Sequence, residues 1–110
     1  MIKSDKIAML RTLLGNDEAA TPEVLDVLLA FAQGEILSWM YRSYPAIPDE
    51  VTDVPREYEM IQIHAALIGF NQSGAEGQTA HGENGISRQF AYSDMVAFIH
   101  KNVTPYLYIL

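Results

Sequence analysis

A stretch between two prolines, Pro22 and Pro45, constrains the fold of this chain more than any other feature. Thr21 and Pro22 form a strong helix start, because a threonine hydroxyl caps free amides and proline tolerates the first helical position. Apolar residues then recur every three or four positions: Val24, Leu28, Ala32, Ile36 and Met40, with Leu25, Leu29 and Trp39 nearby. The pattern predicts a long helix over residues 22–43, ended by the second proline.

Two further segments with helical spacing flank this helix. Residues 4–14 predict a short amphipathic helix behind a candidate cap at Ser4, with Gly15 as a stop signal. Residues 55–72 predict a second long helix that begins at Pro55, after a proline-rich connection. This helix carries two apolar stripes, so we expect one to face the core and the other a neighbouring subunit. The stripes are Tyr58, Ile61, Ala65 and Ile68, and Met60, Ile63, Leu67 and Phe70.

A segment of different composition follows the second long helix. Residues 73–85 contain four glycines and no large apolar side chain, which predicts a long loop. Asn84-Gly85 is also a favoured hairpin turn, and apolar and polar residues alternate beyond it. A β-hairpin arm is therefore the alternative to a loop.

The end of the chain predicts a short helix and an apolar tail. Ser93-Asp94 can cap a helix that stops near Asn102, because Thr104-Pro105 disfavours its continuation. Residues 106–110 are all apolar or aromatic. Exposure of such a tail to water is costly, so we expect it to pack back on the domain or to dock on a partner.

Together these segments predict an all-α fold in one domain spanning residues 1–110. One core is the norm for a chain of 110 residues. The expected architecture is a small bundle of four helices, two long and two short, with a Gly-rich loop or β-hairpin arm before the last helix.

Composition argues against several classes of protein. Fourteen acidic residues against seven basic ones give a formal net charge of -7, so a basic stripe that neutralises DNA phosphates is not available. The absence of cysteine excludes disulfides and thiolate metal sites. No segment has the pattern of a signal peptide or the ~20 apolar residues that span a bilayer, so we expect a cytosolic protein without a membrane partner.

The sequence also lacks the motifs of common enzymes. No two of the histidines, His64, His81 and His100, lie three or four residues apart, and no serine lies in a Gly-x-Ser-x-Gly elbow. We therefore expect no catalytic residue, no cofactor and no metal site. A small metal- or histidine-dependent hydrolase that uses His81 with Glu76 and Glu83 stays open as an alternative.

One junction in the sequence resembles a known family. Ile68-Gly-Phe-Asn-Gln-Ser-Gly-Ala-Glu-Gly77, followed by Glu83-Asn-Gly-Ile-Ser-Arg-Gln-Phe90, is similar to the head–tail connector (adaptor) proteins of tailed bacteriophages. Family members end a long helix with an Asn, a Gly-x-Glu-Gly turn, and a Gly-Ile/Val-Ser entry to a polar strand. The ending Leu-Leu-Gly15 of the first helix and the segment 35–42 support the likeness, which spans nearly the whole chain. The apolar tail differs from the charged ends of the family.

The resemblance implies a structural virion subunit and not an enzyme. It implies a homo-oligomeric ring, twelve-fold to match the portal, in the virion neck after assembly in the host cytoplasm. The implied partners are the portal protein and a stopper or tail-completion protein, with DNA passing through the ring without sequence-specific binding. Two alternatives are another neck or tail-completion protein, and a bacterial cytosolic helical interaction module.

We therefore expect the function to reside in interfaces. Strand addition by a hairpin arm over residues 74–90 would suit contact with a neighbour or with the portal. A head-to-tail contact that buries the same two patches in every subunit closes into a ring. The candidate interface residues are Ile63, Leu67, Phe70, Asn71, Gly74, Glu76, Gly77, Gly85, Ile86, Arg88, Phe90, Tyr106 and Tyr108.

Overall fold

Among the residues that the structure describes, four α-helices, two long and two short, follow one another in the order that the sequence predicts. They are α1 (Lys3–Leu13), α2 (Pro22–Met40), α3 (Glu59–Ala75) and α4 (Ser93–Asn102), with a 3-10 turn at Arg56–Tyr58 before α3. This computed structural model describes residues 1–75 and 92–108, and the side chains of 1–72 and 92–108. Within those ranges there is no strand, and the predicted all-α bundle is confirmed. The predicted loop is wrong for residues 73–75, which belong to the last turn of α3, and the rest of the predicted loop or hairpin arm lies outside the described residues.

The start of α2 follows the predicted capping. Thr21 has an extended backbone, and its side-chain oxygen accepts a 3.3 Å hydrogen bond from the amide of Val24, while Pro22 occupies the first helical position. The helix ends at Met40, three residues before the predicted boundary at Ser43. The amide of Arg42 bonds to the carbonyl of Trp39, and this tighter turn ends the regular helix before the proline is reached.

The N-terminus of α1 differs from the prediction. The helix begins at Lys3 with Ile2 in the cap position and no side-chain cap, so the predicted role of Ser4 is wrong. The terminal ammonium of Met1 instead binds Oε2 of Glu59 at 2.8 Å and ties the start of the chain to α3. At the other end Gly15 and Asn16 both have positive φ, which stops the helix as predicted.

The core lies where α2 meets the other three helices, all of which contact it. Its fully buried large side chains come from every helix: Leu10, Leu25, Leu28, Ile36, Met40, Ile63, Met95 and Ile99. Small residues on α3 allow close helix packing, since Ala65 and Ala66 are completely buried. Gly69 belongs to the same face, and a Cβ there would collide with Met95 and lie 3.2 Å from Leu28. The close crossing of α3 with its neighbours therefore depends on the small size of the residues on this face of α3.

The burial of α3 corrects the prediction of two separate stripes. Ile63, assigned to the stripe that faces a neighbour, is completely buried in the chain's own core. Leu67 and Phe70 of the same stripe are half-buried and pack against the core, whereas Met60 is exposed. Most of the second stripe is therefore already used inside the subunit.

The start of α4 also differs from the prediction. Its cap position is Tyr92, which provides no side-chain cap, so the capping role of Ser93-Asp94 is wrong. Gln72 of α3 takes over, because its Oε1 accepts a 3.2 Å hydrogen bond from the amide of Asp94. The helix ends at Asn102 as predicted, and Val103 is already extended.

No helix among the described residues is long and apolar enough to cross a membrane.

Candidate interaction surfaces and a buried polar cluster

A polar cluster joins α1, α2, α3 and the connection before α3. Lys6 is 3% exposed, and its Nζ donates a 2.6 Å hydrogen bond to Oε1 of Gln62 and lies 3.3 Å from Oδ1 of Asp53. Nε2 of Gln62 donates at 2.9 Å to the carbonyl of Leu29, and Nε2 of Gln33 donates at 2.7 Å to Asp53. No buried side-chain polar atom in the described part of the chain lacks a partner.

The carboxylate of Asp53 is held in its charged form by this cluster. Partial burial by itself raises its pKa, but hydrogen bonds from Gln33, the amide of Val54 and Lys6 outweigh burial and lower the pKa below its ordinary value. A cavity of about 190 Å³ opens beside the cluster. Because the buried polar groups of this cluster all have partners in the chain, the cluster stabilises the packing of α1 against α2 and α3.

A second group of side chains surrounds Trp39 near the end of α2. His100 of α4 stacks on the indole with ring centroids 3.8 Å apart, and the guanidinium carbon of Arg42 lies 4.3 Å from the ring centre. The indole Nε1 donates a 2.9 Å hydrogen bond to the carbonyl of Val103. One indole thus joins the ends of α2 and α4 to the start of the tail.

The apolar tail packs back along the end of α2 up to Tyr108. The amide of Tyr106 donates a 2.7 Å hydrogen bond to the carbonyl of Met40. Ser43 Oγ donates to the carbonyl of Tyr106 at 3.0 Å and accepts from the amide of Tyr108 at 3.1 Å. The predicted return of the tail onto the domain is confirmed for these residues, and Ile109 and Leu110 lie outside the described range.

Tyrosines pack against each other where the tail meets α2. The rings of Tyr41 and Tyr106 meet edge to face at 5.3 Å, and those of Tyr44 and Tyr108 lie 4.8 Å apart. Burial raises the pKa of Tyr41, and the neighbouring Tyr106, Tyr44 and Glu50 raise it further. The side chain of Leu107, between the two tail tyrosines, stays 77% exposed. We call the residues 106–108 the tail ridge.

The opposite end of α2 carries an open groove. It has a volume of about 510 Å³, and its walls include Glu23, Val24, Val27, Leu28, Phe70 and Tyr92. Val24 and Val27 are 41% and 61% exposed, although both are apolar. We call this feature the α2 groove.

The predicted interface residues fall into three groups. Ile63 is buried and Leu67 and Phe70 are half-buried, with Phe70 also lining the α2 groove. Asn71, Tyr106 and Tyr108 are exposed, and Gly74 lies in the last turn of α3. The others lie outside the described residues: Glu76, Gly77, Gly85, Ile86, Arg88 and Phe90.

The histidines that the structure describes lie apart. His64 is exposed and contacts the ring of Phe98 at 4.8 Å, and His100 stacks on Trp39. Among residues 1–75 and 92–108, no group of three or more His, Asp or Glu side chains is placed to hold a metal ion. His81, on which the hydrolase alternative depends, lies outside these ranges.

Sequence reasoning missed the polar cluster and the groove. Lys6 and Gln62 have apolar residues three and four positions away on the same helix face. A polar side chain on such a face needs a buried partner, so this pattern could have revealed the cluster. The α2 groove had no such signal, because Val24 belongs to the same apolar pattern as residues that are buried.

Comparison of the chain with protein-family models, with curated proteins and with solved structures found no match.

Proposed function

We propose that this protein is a structural subunit of a tailed-phage neck, forming a ring between the portal and the tail that extends the DNA channel. The observation that carries the proposal is the sequence of the junction at the end of α3, residues 68–77 and 83–90, which resembles that of head–tail connector proteins. Function then resides in contacts between subunits and with the portal.

Three features of the chain support this proposal. The bundle of four helices among the described residues is the all-α fold that the sequence predicts for such a subunit. Apolar side chains such as Val27 and Leu107 are exposed at two separate places, as expected of a subunit with more than one contact surface. The formal charge of -7 suits a channel wall past which DNA must slide, because like charges repel.

Imaging of assemblies tests the proposal. The purified chain is mixed with portal rings and examined by negative-stain electron microscopy, with the chain alone and the portal alone as controls. We expect an added ring of density on the tail-facing side of the portal, twelve-fold when the rings are averaged. If the chain forms no ring at high concentration and does not bind the portal, the proposal is wrong.

Two alternatives differ in their partners. A tail-completion protein would be retained by immobilised tail-tube protein and not by portal, and a bacterial helical interaction module would be retained by neither. A pull-down with both baits, at matched concentrations and moderate salt, therefore separates the three functions.

A further inference from the structure

The tail ridge has one bonded edge and one free edge. The N–H and the C=O of Tyr106 and the N–H of Tyr108 all take part in hydrogen bonds with Met40 or Ser43, which lie at the end of α2 and just after it. Backbone groups of successive residues in an extended chain point to opposite edges. Those of Leu107, between the two tyrosines, therefore face away from α2.

Leu107 offers its backbone to another molecule. Its N–H and its C=O bond to no residue in the part of the chain that the structure describes, and its side chain is 77% exposed. Pro105, the next residue on the same edge, has no N–H. Val103, further back, already has partners for both groups within the chain. Within the described tail, Leu107 is thus the residue of this edge that presents both a donor and an acceptor.

The chemistry around this edge suits a second copy of the chain. Residues 102–110 contain no charged side chain, whereas the whole chain has a formal net charge of -7. Like charges repel, so two copies approach each other most easily through an uncharged segment. An extended apolar segment with unpaired N–H and C=O groups is also a template for pairing with another chain.

We infer that the tail ridges of two copies pair antiparallel through their free edges, with Leu107 of one copy opposite Leu107 of the other. In an antiparallel pair, residues of the hydrogen-bonded kind exchange two N–H···O=C bonds, so this register satisfies both groups of both leucines. Their side chains lie on the same face and bury each other. The contact goes beyond the proposed function, because it is two-fold and does not by itself close a ring.

Amide hydrogen exchange tests the pairing residue by residue. Because stable complexes bury about 1,000 Å² or more, a contact this small is weak and needs high protein concentration. In dilute solution the amide of Leu107 should exchange fast, while the bonds to Met40 and Ser43 slow the exchange of Tyr106 and Tyr108. At high concentration Leu107 should exchange several-fold more slowly and its two neighbours should change less. Fast exchange of Leu107 at every concentration would overturn the inference.

Disulfide trapping tests the register. Cα atoms of a hydrogen-bonded antiparallel pair lie about 5.5 Å apart, which is within the range of a disulfide, and the chain contains no cysteine of its own. Val27→Cys is the matched control, because Val27 is an apolar residue of α2 that is 61% exposed. After mild oxidation at high concentration, Leu107→Cys should give roughly fivefold more disulfide-linked dimer than the control. Equal yields would contradict the pairing.

A proline substitution separates backbone pairing from apolar contact. Leu107→Pro removes the N–H from both halves of the symmetric pair, whereas Leu107→Ala keeps it and shortens the side chain. Sedimentation equilibrium at high concentration should show dimers of the parent and of Leu107→Ala, and only monomers of Leu107→Pro. Dimers of Leu107→Pro as abundant as those of the parent would refute pairing through the backbone. Slower exchange of Leu107 only on addition of portal rings would assign the edge to the portal and refute pairing between copies.

The outcome is separable from that of the proposed function. Rings on the portal, with fast exchange of Leu107 at every concentration of the free chain, would leave the function standing and refute this contact. Dimers trapped at residue 107 without portal binding would establish the contact and refute the function.

Discussion

The ammonium of Lys6 donates a 2.6 Å hydrogen bond to the amide oxygen of Gln62, and each of the two residues is only 3% exposed. The bond joins α1 to α3, and Gln62 continues the connection to the carbonyl of Leu29 in α2. Three helices thus share one polar contact inside an apolar core. A buried charge is costly unless it is paired, so the position of α1 is set by the place where Lys6 finds its partners.

Substitution at this pair should show strong coupling. Gln62→Leu leaves the ammonium of Lys6 with Asp53 as its remaining partner, and we expect a loss of about 2–3 kcal/mol in the free energy of unfolding. Lys6→Met removes the charge and keeps an apolar stem of similar length. In the double variant no buried charge lacks its partner, so its loss should be smaller than the sum of the two single losses by about 1 kcal/mol or more. Urea denaturation measures all three, and strict additivity would contradict the structure.

Asp53 should make the protein less stable in acid. Its pKa in the folded chain lies below the ordinary value of 3.8, so the folded state binds fewer protons than the unfolded state as the pH falls. Its contribution is complete above the unfolded pKa and is lost as the pH decreases through the folded pKa. Urea denaturation between pH 7 and pH 2.5 should show a smaller decrease in stability for Asp53→Asn than for the parent. Asp49→Asn, which removes the same charge from the exposed connection, is the control, and an effect there equal to that of Asp53→Asn would contradict the prediction.

Gly69 should not tolerate a methyl group. Gly69→Ala places a Cβ against the fully buried Met95 and close to Leu28, and overpacking of this kind costs about 1–3 kcal/mol. The better helix propensity of alanine offsets up to about 1 kcal/mol of that loss. We expect a net decrease in the free energy of unfolding and a lower Tm.

Gly34→Ala is the matched control for that substitution. Gly34 is exposed on α2, and no atom beyond the helix's own backbone lies within 4 Å of the position that the new methyl group would take. Only the propensity term applies there, so the variant should gain up to about 1 kcal/mol. Equal effects at the two glycines would contradict the close packing of α3 against α4.

Ser43 should control the attachment of the tail. Ser43→Ala removes a hydroxyl that bonds to Tyr106 and Tyr108, while the contact of Tyr106 with Met40 is kept. We expect faster amide hydrogen exchange at Tyr108, with a global loss of only about 1 kcal/mol. Ser38→Ala, at an exposed position of α2, should leave the exchange of the tail unchanged.

Local sequence signals determined the elements of this protein. The capped start of α2 at Thr21 and Pro22, and the stop of α1 at Gly15, depend on backbone geometry and hydrogen bonds within a few residues. The apolar spacing that predicted the helices and their all-α arrangement is equally local. For this reason the order of the helices could be read from the chain before any contact was known.

Tertiary structure alone decided which apolar surfaces remain exposed. Ile63 and Met60 belong to one predicted stripe, yet one is completely buried and the other is exposed, because α1, α2 and α4 converge on only part of α3. In the same way Gln72 replaced the predicted cap of α4, and Lys6 found its partners 47 and 56 residues away. Periodicity states which residues share a helix face, but burial depends on how many other helices pack against that face.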